Sequence, residues 1–118
     1  MKKERIFLTH ILEQTELILD ISSKISWNDF ESNKMYQYTF IRAMEIIGEA
    51  AKHISEQTRE QHADIPFREM AGLRDRLIHG YFSVDPVRIW EIAENDIPEL
   101  NVQLRSLLSE ISPACQDK

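Results

Sequence analysis

The sequence predicts an all-α protein, an antiparallel bundle of four to five helices. Nearly every apolar position in the 118 residues recurs at a helical spacing of three or four, and no segment shows the sustained alternation of a strand. Hydrophobic residues make up 42% of the chain and charged residues 29%, a balance typical of a folded globular domain. We therefore expect one helical domain over residues 1–111 and a flexible C-terminal tail over residues 112–118.

Two long helices are predicted in the first half of the chain. The first covers about residues 4–21, where apolar residues form a wide stripe. A serine-rich break follows, and we expect Trp27 and Phe30 to fold a short loop onto the core. The second helix covers about residues 32–55 and contains Gly48, which costs roughly 1 kcal/mol relative to alanine at such a position. The simplest explanation for this glycine is the close approach of another helix.

The second half of the chain predicts two further helices. The polar segment 56–66 is expected to be a surface connection that contains one helical turn. The third helix follows directly and ends at Gly80, because glycine tolerates the positive φ of a helix end. Asp85 and Pro86 predict the start of the fourth helix, with Asp85 as its N-cap. Pro98 lies inside this helix, so we expect a kink or a break just before it.

Composition excludes several classes of function. The single Cys115 provides neither an internal disulfide nor a cysteine-based zinc site. Three glycines are too few for a glycine-rich phosphate loop, and no apolar run is long enough to span a membrane. The net charge of -6 argues against a protein that coats DNA without sequence preference, but it leaves room for a small basic pocket. With no signal-peptide pattern, we expect a cytoplasmic protein that does not act at a membrane.

A local cationic cluster in the third helix stands out from the acidic chain. It contains Arg68, Arg74, Arg76 and His79, and such a cluster is suited to bind phosphate. Asp75 and His79 are four residues apart, so the carboxylate could contact the imidazole and fix its tautomer. Arg74 and His79 lie about 140° apart around an ideal helix. They converge only if the helix ends before His79 or if two chains bring their copies together.

Histidine and arginine without a metal site suit the cleavage of RNA by its own 2′-hydroxyl. A base removes the hydroxyl proton, an acid protonates the leaving 5′-oxygen, and an arginine stabilises the added negative charge. We expect no metal and no other cofactor, because His10, His53 and His62 lack metal-ligand spacing. This route requires a ribose hydroxyl, so DNA would not be a substrate.

The segment MAGLRDRLIHGYFSVD carries a recognisable motif, Arg74-x4-His79-x-Tyr81. In this motif the chain resembles the HEPN superfamily, most closely the HepT-like toxins that pair with MNT-type nucleotidyltransferase antitoxins. The stretch IIGEAAK and the last helix are similar to the same group, so the resemblance spans roughly residues 5–110. Motif, helix order and chain length together make it fairly specific.

The resemblance implies a HEPN-like helical bundle that forms a homodimer, or a higher oligomer, and cleaves RNA without a metal. Arg74 and His79 would be the catalytic pair, joined from both protomers at the interface, and Asp75 would orient them. Tyr81 would be the residue that the partner nucleotidyltransferase modifies with AMP, which silences the toxin. The added phosphate would occupy the cleft and pair with the arginine.

Plainer interpretations of the same residues stay open. Arg68 and Arg76 are candidate contacts to substrate phosphates, although Arg76 is more simply a surface cation paired with a neighbouring carboxylate. His79 could cap a helix end, and Glu49 could be solvated or could pair with an arginine near the site. A different class of function is a non-enzymatic dimeric helical module that a nucleotidyltransferase binds or modifies, since an acidic surface suits a basic partner.

Overall fold

The computed structural model describes residues 2–79 and 85–115. Seven α-helices and one π-helical segment make up most of these residues. In chain order they are α1 (Lys2–Ser22), α2 (Trp27–Ser32), α3 (Lys34–Ala51), α4 (Glu56–Gln61), α5 (Phe67–His79), α6 (Pro86–Glu91), the π-helical segment (Ile92–Asp96) and α7 (Ile97–Cys115). No strand occurs in these two ranges, and the prediction of an all-α bundle is confirmed.

Three of the helices predicted from the apolar periodicity correspond to α1, α3 and α5, and the fourth corresponds to the continuous run of α6, the π-helical segment and α7. Helix α3 packs against both α1 and α5, and α7 packs against α1. The ring of Phe7 near the start of α1 stacks on His53, just beyond the end of α3, so these two helices run antiparallel. The fully buried side chains include Ile18, Phe40 and Leu104. Each such residue stabilises the fold by about 1.5–3 kcal/mol relative to an exposed one.

The prediction of a loop around Trp27 and Phe30 is wrong, because these residues belong to the short helix α2. Ser26 caps this helix, since its hydroxyl accepts a hydrogen bond from the amide of Asp29. The Asp29 carboxylate in turn accepts from the amide of Ser26, completing a capping box. Phe30 is fully buried, so the helix still covers the core as the predicted loop would have done. Asn33 then caps α3, which begins two residues later than predicted.

Helix α3 ends at Ala51, earlier than the predicted residue 55. The guanidinium of Arg59 donates to the main-chain carbonyl of Ala51 at 2.8 Å and to that of Ile54 at 3.1 Å. These bonds satisfy carbonyls that a helix end leaves without a partner in the helix. The polar connection after α3 contains the single helix α4, with Ser55 as its N-cap. Glu4 of α1 accepts a hydrogen bond from the amide of Ser55 at 2.9 Å and so joins α1 to α4.

The helix starts and breaks predicted in the second half agree with the structure. The side chain of Asp85 caps α6 by accepting from the amide of Val87 at 3.0 Å, and Pro86 is the first helical residue. The break expected before Pro98 is the π-helical segment Ile92–Asp96, and α7 follows it directly. Proline has no amide proton to donate, so a widened turn beside it is physically reasonable. The predicted helix end at Gly80 lies outside the described residues.

The last helix continues to Cys115, so the described part of the predicted tail is helical. None of the described helices is both long enough and apolar enough to cross a membrane.

Candidate active site

Arg74 lies where α5 crosses α3 at very short range. A Cβ atom built on Gly48 of α3 would lie 2.2 Å from Cβ of Arg74 and 2.5 Å from the main-chain oxygen of Met70. Only glycine leaves room for this approach. The prediction that Gly48 marks the close approach of another helix is confirmed, and the contact fixes the position of the Arg74 backbone.

Two carboxylates hold the guanidinium of Arg74. Its Nε lies 3.3 Å from Oε1 of Glu49, and its Nη1 lies 3.2 Å from Oδ1 of Asp75. Glu49 therefore pairs with an arginine, the second of the two alternatives that its sequence position left open. Neither contact occupies Nη2, which keeps a donor for an anion. The side chain of Arg74 is 28% exposed, so an external phosphate could reach it.

The carboxylate of Asp75 is shared by two cations. Nζ of Lys52 lies 2.6 Å from the same Oδ1 that accepts from Arg74. The hydrogen bond from Lys52, and then that from Arg74, hold the pKa of Asp75 below its ordinary value of 3.8. Lys52 was not singled out from the sequence. Its signal was present in the stretch IIGEAAK, where Glu49 and Lys52 are three apart on one face of a helix.

His79 is oriented by a main-chain atom. Its Nδ1 lies 2.9 Å from the carbonyl oxygen of Asp75, whereas the sequence suggested a contact with the Asp75 carboxylate. That expectation is wrong because the carboxylate is held by Lys52 and Arg74, while the carbonyl lies one helical turn before His79. With Nδ1–H donating to this carbonyl, Nε2 is the ring atom that can exchange a proton with a substrate.

Arg74 and His79 both belong to α5, which continues through His79. The first route to their convergence, a helix that ends before His79, is therefore excluded. On one continuous helix the two residues project about 140° apart. Tyr81, the predicted site of modification, lies outside the described residues.

The remaining arginines of the cationic cluster point to other surfaces. Arg76 lines a separate cleft of about 430 Å³ together with Arg88, and Arg68 lines a third cleft together with Arg59. No ion pair joins Arg76 to Glu69, which lies two helical turns earlier on α5. The three arginines of α5 thus face three different clefts. Their contact with substrate phosphates stays a prediction.

A small cleft of about 180 Å³ opens beside Arg74. Helices α1, α3 and α5 form its walls, and His53 contributes just beyond α3. The ring of Phe7 stacks on that of His53 with 4.4 Å between centroids and 8° between planes. Nε2 of His53 lies 3.5 Å from Oε2 of Glu49, so the aromatic pair is connected to the carboxylate that holds Arg74. Within residues 2–79 and 85–115 no group of three or more acidic, histidine or cysteine side chains is arranged to hold a metal ion.

Comparison with known proteins adds independent information. The family model described as "Ribonuclease HepT-like" matches residues 11–107. The chain is 41% identical over 93% of its length to "Putative RNase TTE0752" of Caldanaerobacter subterraneus subsp. tengcongensis, covering 98% of that protein. It is 42% identical over 90% of its length to "Probable ribonuclease HepT" of Thermococcus cleftensis, covering 96% of that protein.

A third relative, "Putative RNase MJ1216" of Methanocaldococcus jannaschii, is 39% identical over 91% of this chain and 88% of its own length. No solved structure gave a significant match. The matched region contains the glycine contact, both carboxylates and the whole of α5. The chain belongs to the HepT-like ribonuclease family, and this membership supports a ribonuclease function.

Proposed function

We propose that this protein is a metal-independent RNA endonuclease that uses Arg74 and His79, and that it is the toxin of a toxin–antitoxin pair. The observation that carries the proposal is the arrangement around Asp75. Its carboxylate and that of Glu49 hold the guanidinium of Arg74, and its main-chain carbonyl orients the ring of His79. Phosphodiester cleavage without a metal requires an anchored cation and an oriented imidazole that act on the same phosphate.

The proposed reaction is attack by the ribose 2′-hydroxyl on the adjacent phosphorus. Nε2 of one His79 takes the hydroxyl proton, the 2′-oxygen forms a bond to phosphorus, and the bond to the 5′-oxygen breaks. The imidazolium of a His79 ring then gives a proton to the leaving 5′-oxygen, so the products are a 2′,3′-cyclic phosphate and a free 5′-hydroxyl. Arg74 donates to the phosphate oxygens, where negative charge increases in the transition state. Proton transfer of this kind contributes typically about 10²–10⁴-fold.

The catalytic unit is proposed to be a homodimer. Arg74 and His79 of one chain project about 140° apart, so a single helix does not direct both at one phosphate. A second copy related by a two-fold axis can supply the missing residue. Exposed apolar side chains support such an interface, since Met35 of α3 is 75% exposed and Tyr38 of the same helix is 64% exposed. Assembly beyond the dimer stays a prediction.

The proposed antitoxin is an MNT-type nucleotidyltransferase that transfers AMP to Tyr81. This residue follows His79 by two positions, so an attached phosphate would lie close to the catalytic groups along the chain. Its negative charge would compete with RNA for the guanidinium of Arg74. Modification would thereby silence the nuclease without unfolding it.

The experiment that tests the proposal is RNA cleavage by the purified protein in the presence of EDTA. We expect wild type to release fragments with 2′,3′-cyclic phosphate ends and to leave 2′-deoxy substrates intact. His79→Ala and Arg74→Ala should each reduce the rate by about 10²-fold or more. His62→Ala, an equal change on a distant helix end, should retain full activity. Undiminished cleavage by His79→Ala, or loss of wild-type activity on chelation, would contradict the mechanism.

A second candidate function is a dimeric helical module that binds a nucleotidyltransferase without cutting RNA. The net charge of -6 favours it, because an acidic surface attracts a basic partner. The two candidates differ in a simple observation. The module predicts a stable complex with the transferase and no RNA turnover by wild type, whereas the nuclease predicts turnover and bacterial growth arrest that His79→Ala abolishes.

A further inference from the structure

We propose that the cleft beside Arg74 is a subsite for one unpaired nucleobase of RNA, and that the ring of His53 is its stacking platform. The inference rests on the proposed function, since it takes the RNA phosphate to be bound at Arg74. We call this space the base cleft and define it by Phe7, His10, Ile46, His53 and Ile78.

The aromatic side chains of the base cleft have the geometry of a stack. Phe7 and His53 are nearly parallel, with 8° between planes and 4.4 Å between centroids. The ring of His10 meets that of Phe7 edge-on at 86° and 6.4 Å. The partly buried Phe7 fixes the orientation of His53, whose own side chain is 49% exposed. A planar ring that is held in place and reachable from solvent is what unpaired bases stack on in RNA-binding proteins.

The dimensions and lining of the base cleft suit one base and exclude a duplex. Its volume of about 180 Å³ is smaller than the roughly 300–1,000 Å³ of pockets for drug-sized ligands, so the cleft takes no more than one flat heterocycle. Ile46, Ala50 and Ile78 give it apolar surface, and the ion pair of Arg42 with Glu45 also lines it. Bases in double-stranded RNA are already stacked on their neighbours and would have to leave the RNA duplex to enter the base cleft. The cleft therefore favours single-stranded or looped RNA over double-stranded RNA.

Arg74 connects the base cleft to the proposed chemistry. It lines the cleft and is also the cation assigned to the scissile phosphate, so a nucleotide held there by its phosphate has its base within reach of His53. Glu49 connects the two residues, because one of its carboxylate oxygens contacts Nε2 of His53 and the other contacts Nε of Arg74. Stacking is tolerant of base identity because every base has an aromatic face. We therefore expect this subsite to select unpaired nucleotides more strongly than a particular base.

Binding of RNA analogues that cannot be cleaved tests the inference directly. The probes are a labelled single-stranded 2′-O-methyl oligoadenylate and an abasic 2′-O-methyl oligomer of the same length and charge. Wild type should bind the oligoadenylate about 5- to 100-fold more tightly than the abasic oligomer. His53→Ala should lose most of this preference and leave abasic binding unchanged. Equal affinity of wild type for both probes, or an unchanged preference in His53→Ala, would overturn the proposal.

Further variants separate stacking from an indirect effect through Glu49. His53→Phe keeps an aromatic face and removes the contact with Glu49, so it should bind the oligoadenylate like wild type. His53→Gln keeps a hydrogen-bonding group and removes the ring, so it should behave like His53→Ala. If instead His53→Gln bound the oligoadenylate like wild type and His53→Phe behaved like His53→Ala, His53 would act through Glu49, and the stacking role would be overturned. His62→Ala is the matched histidine control, and unfolding midpoints verify that each variant is folded.

The outcome is distinguishable from that of the proposed function, because binding does not require turnover. If wild type cleaves RNA while His53→Ala shows the same KM, kcat and probe binding, the subsite fails and the nuclease stands. If no RNA is cleaved but the preference for bases depends on the ring of His53, the subsite stands and the nuclease fails.

Discussion

Nζ of Lys52 lies 2.6 Å from Oδ1 of Asp75, and this contact joins the end of α3 to the middle of α5. The same oxygen accepts a hydrogen bond from Arg74, whereas the main-chain carbonyl of Asp75 contacts His79. Asp75 thus serves both proposed catalytic residues through different atoms. A substitution of its side chain separates the two roles, because the main-chain carbonyl remains.

Asp75→Asn is expected to leave the tautomer of His79 unchanged. The acceptor of Nδ1–H is a main-chain atom, so the neutral ring keeps its proton on Nδ1. The guanidinium of Arg74 loses one charged anchor, and we expect cleavage to slow by up to about a hundredfold through misplacement of that group. Imidazole ¹⁵N chemical shifts report the tautomer, and steady-state kinetics report the rate. A proton found on Nε2 in the variant would contradict the main-chain assignment.

Gly48→Ala should destabilise the protein and disturb the site. The new methyl group would overlap Cβ of Arg74 at 2.2 Å and a main-chain oxygen at 2.5 Å, so α3 and α5 must separate. We expect a loss of about 1–3 kcal/mol in the free energy of unfolding, measured by urea denaturation, together with slower cleavage.

Gly72→Ala is the matched control for this substitution. A Cβ at Gly72 would lie no closer than 3.7 Å to Nη1 of Arg76, which is an ordinary contact. Replacing a helical glycine there should stabilise the protein by roughly 0.5–1 kcal/mol. Equal effects of the two substitutions would show that the helix crossing does not limit stability.

Glu4→Gln should make stability less sensitive to acid. Burial raises the pKa of the Glu4 carboxyl, but hydrogen bonds from Thr58 and Ser55 outweigh it and hold the pKa below 4.5. Because the pKa of Glu4 is lower in the folded state, its carboxylate stabilises the protein at any pH above the pKa of the unfolded state. This contribution is lost as the pH falls through the pKa of the folded state. We expect the variant to be less stable by about 1 kcal/mol at pH 7, because the site is partly exposed.

The test for Glu4 is a series of unfolding curves between pH 7 and pH 3. The difference between wild type and Glu4→Gln should shrink below pH 4.5, where the wild-type carboxyl gains its proton. Glu13→Gln, an exposed change on the same helix, controls for the loss of one charge. A difference that stays constant across the series would exclude the linkage.

Arg68→Ala and Arg76→Ala should weaken RNA binding without changing kcat. Both residues line clefts away from Arg74, so any contact with RNA is with phosphates outside the reacting bond. Removal of one such contact should reduce the slope of log affinity against log salt concentration by about 0.7, as for single strands. Titrations over a range of salt measure the slope. An unchanged slope would remove that arginine from the binding surface.

Much of the local structure was readable from the sequence. Asp85 and Pro86 start a helix by local effects, because the Asp85 carboxylate accepts from a nearby amide and the proline ring fixes a helical φ. Gly48 indicated a helix crossing because glycine is unfavourable within a helix unless another chain segment lies close to it. The capping box of Ser26 and Asp29 is also present in the sequence, as a serine followed three residues later by an acid, and it indicates a helix where a loop was predicted. Arg74 and Arg76 line different clefts because residues two positions apart project about 200° from each other around a helix axis.

The sequence by itself determined roughly where the long helices lie, that one of them carries a cationic cluster, and that Arg74 and His79 belong to a family motif. These properties depend on residues within about four positions of one another. Only the tertiary structure decided that Glu49 and Lys52 meet Arg74 and Asp75, because these partners lie more than twenty residues apart in the chain. Their meeting depends on how closely two helices cross, which side-chain packing and not local spacing fixes.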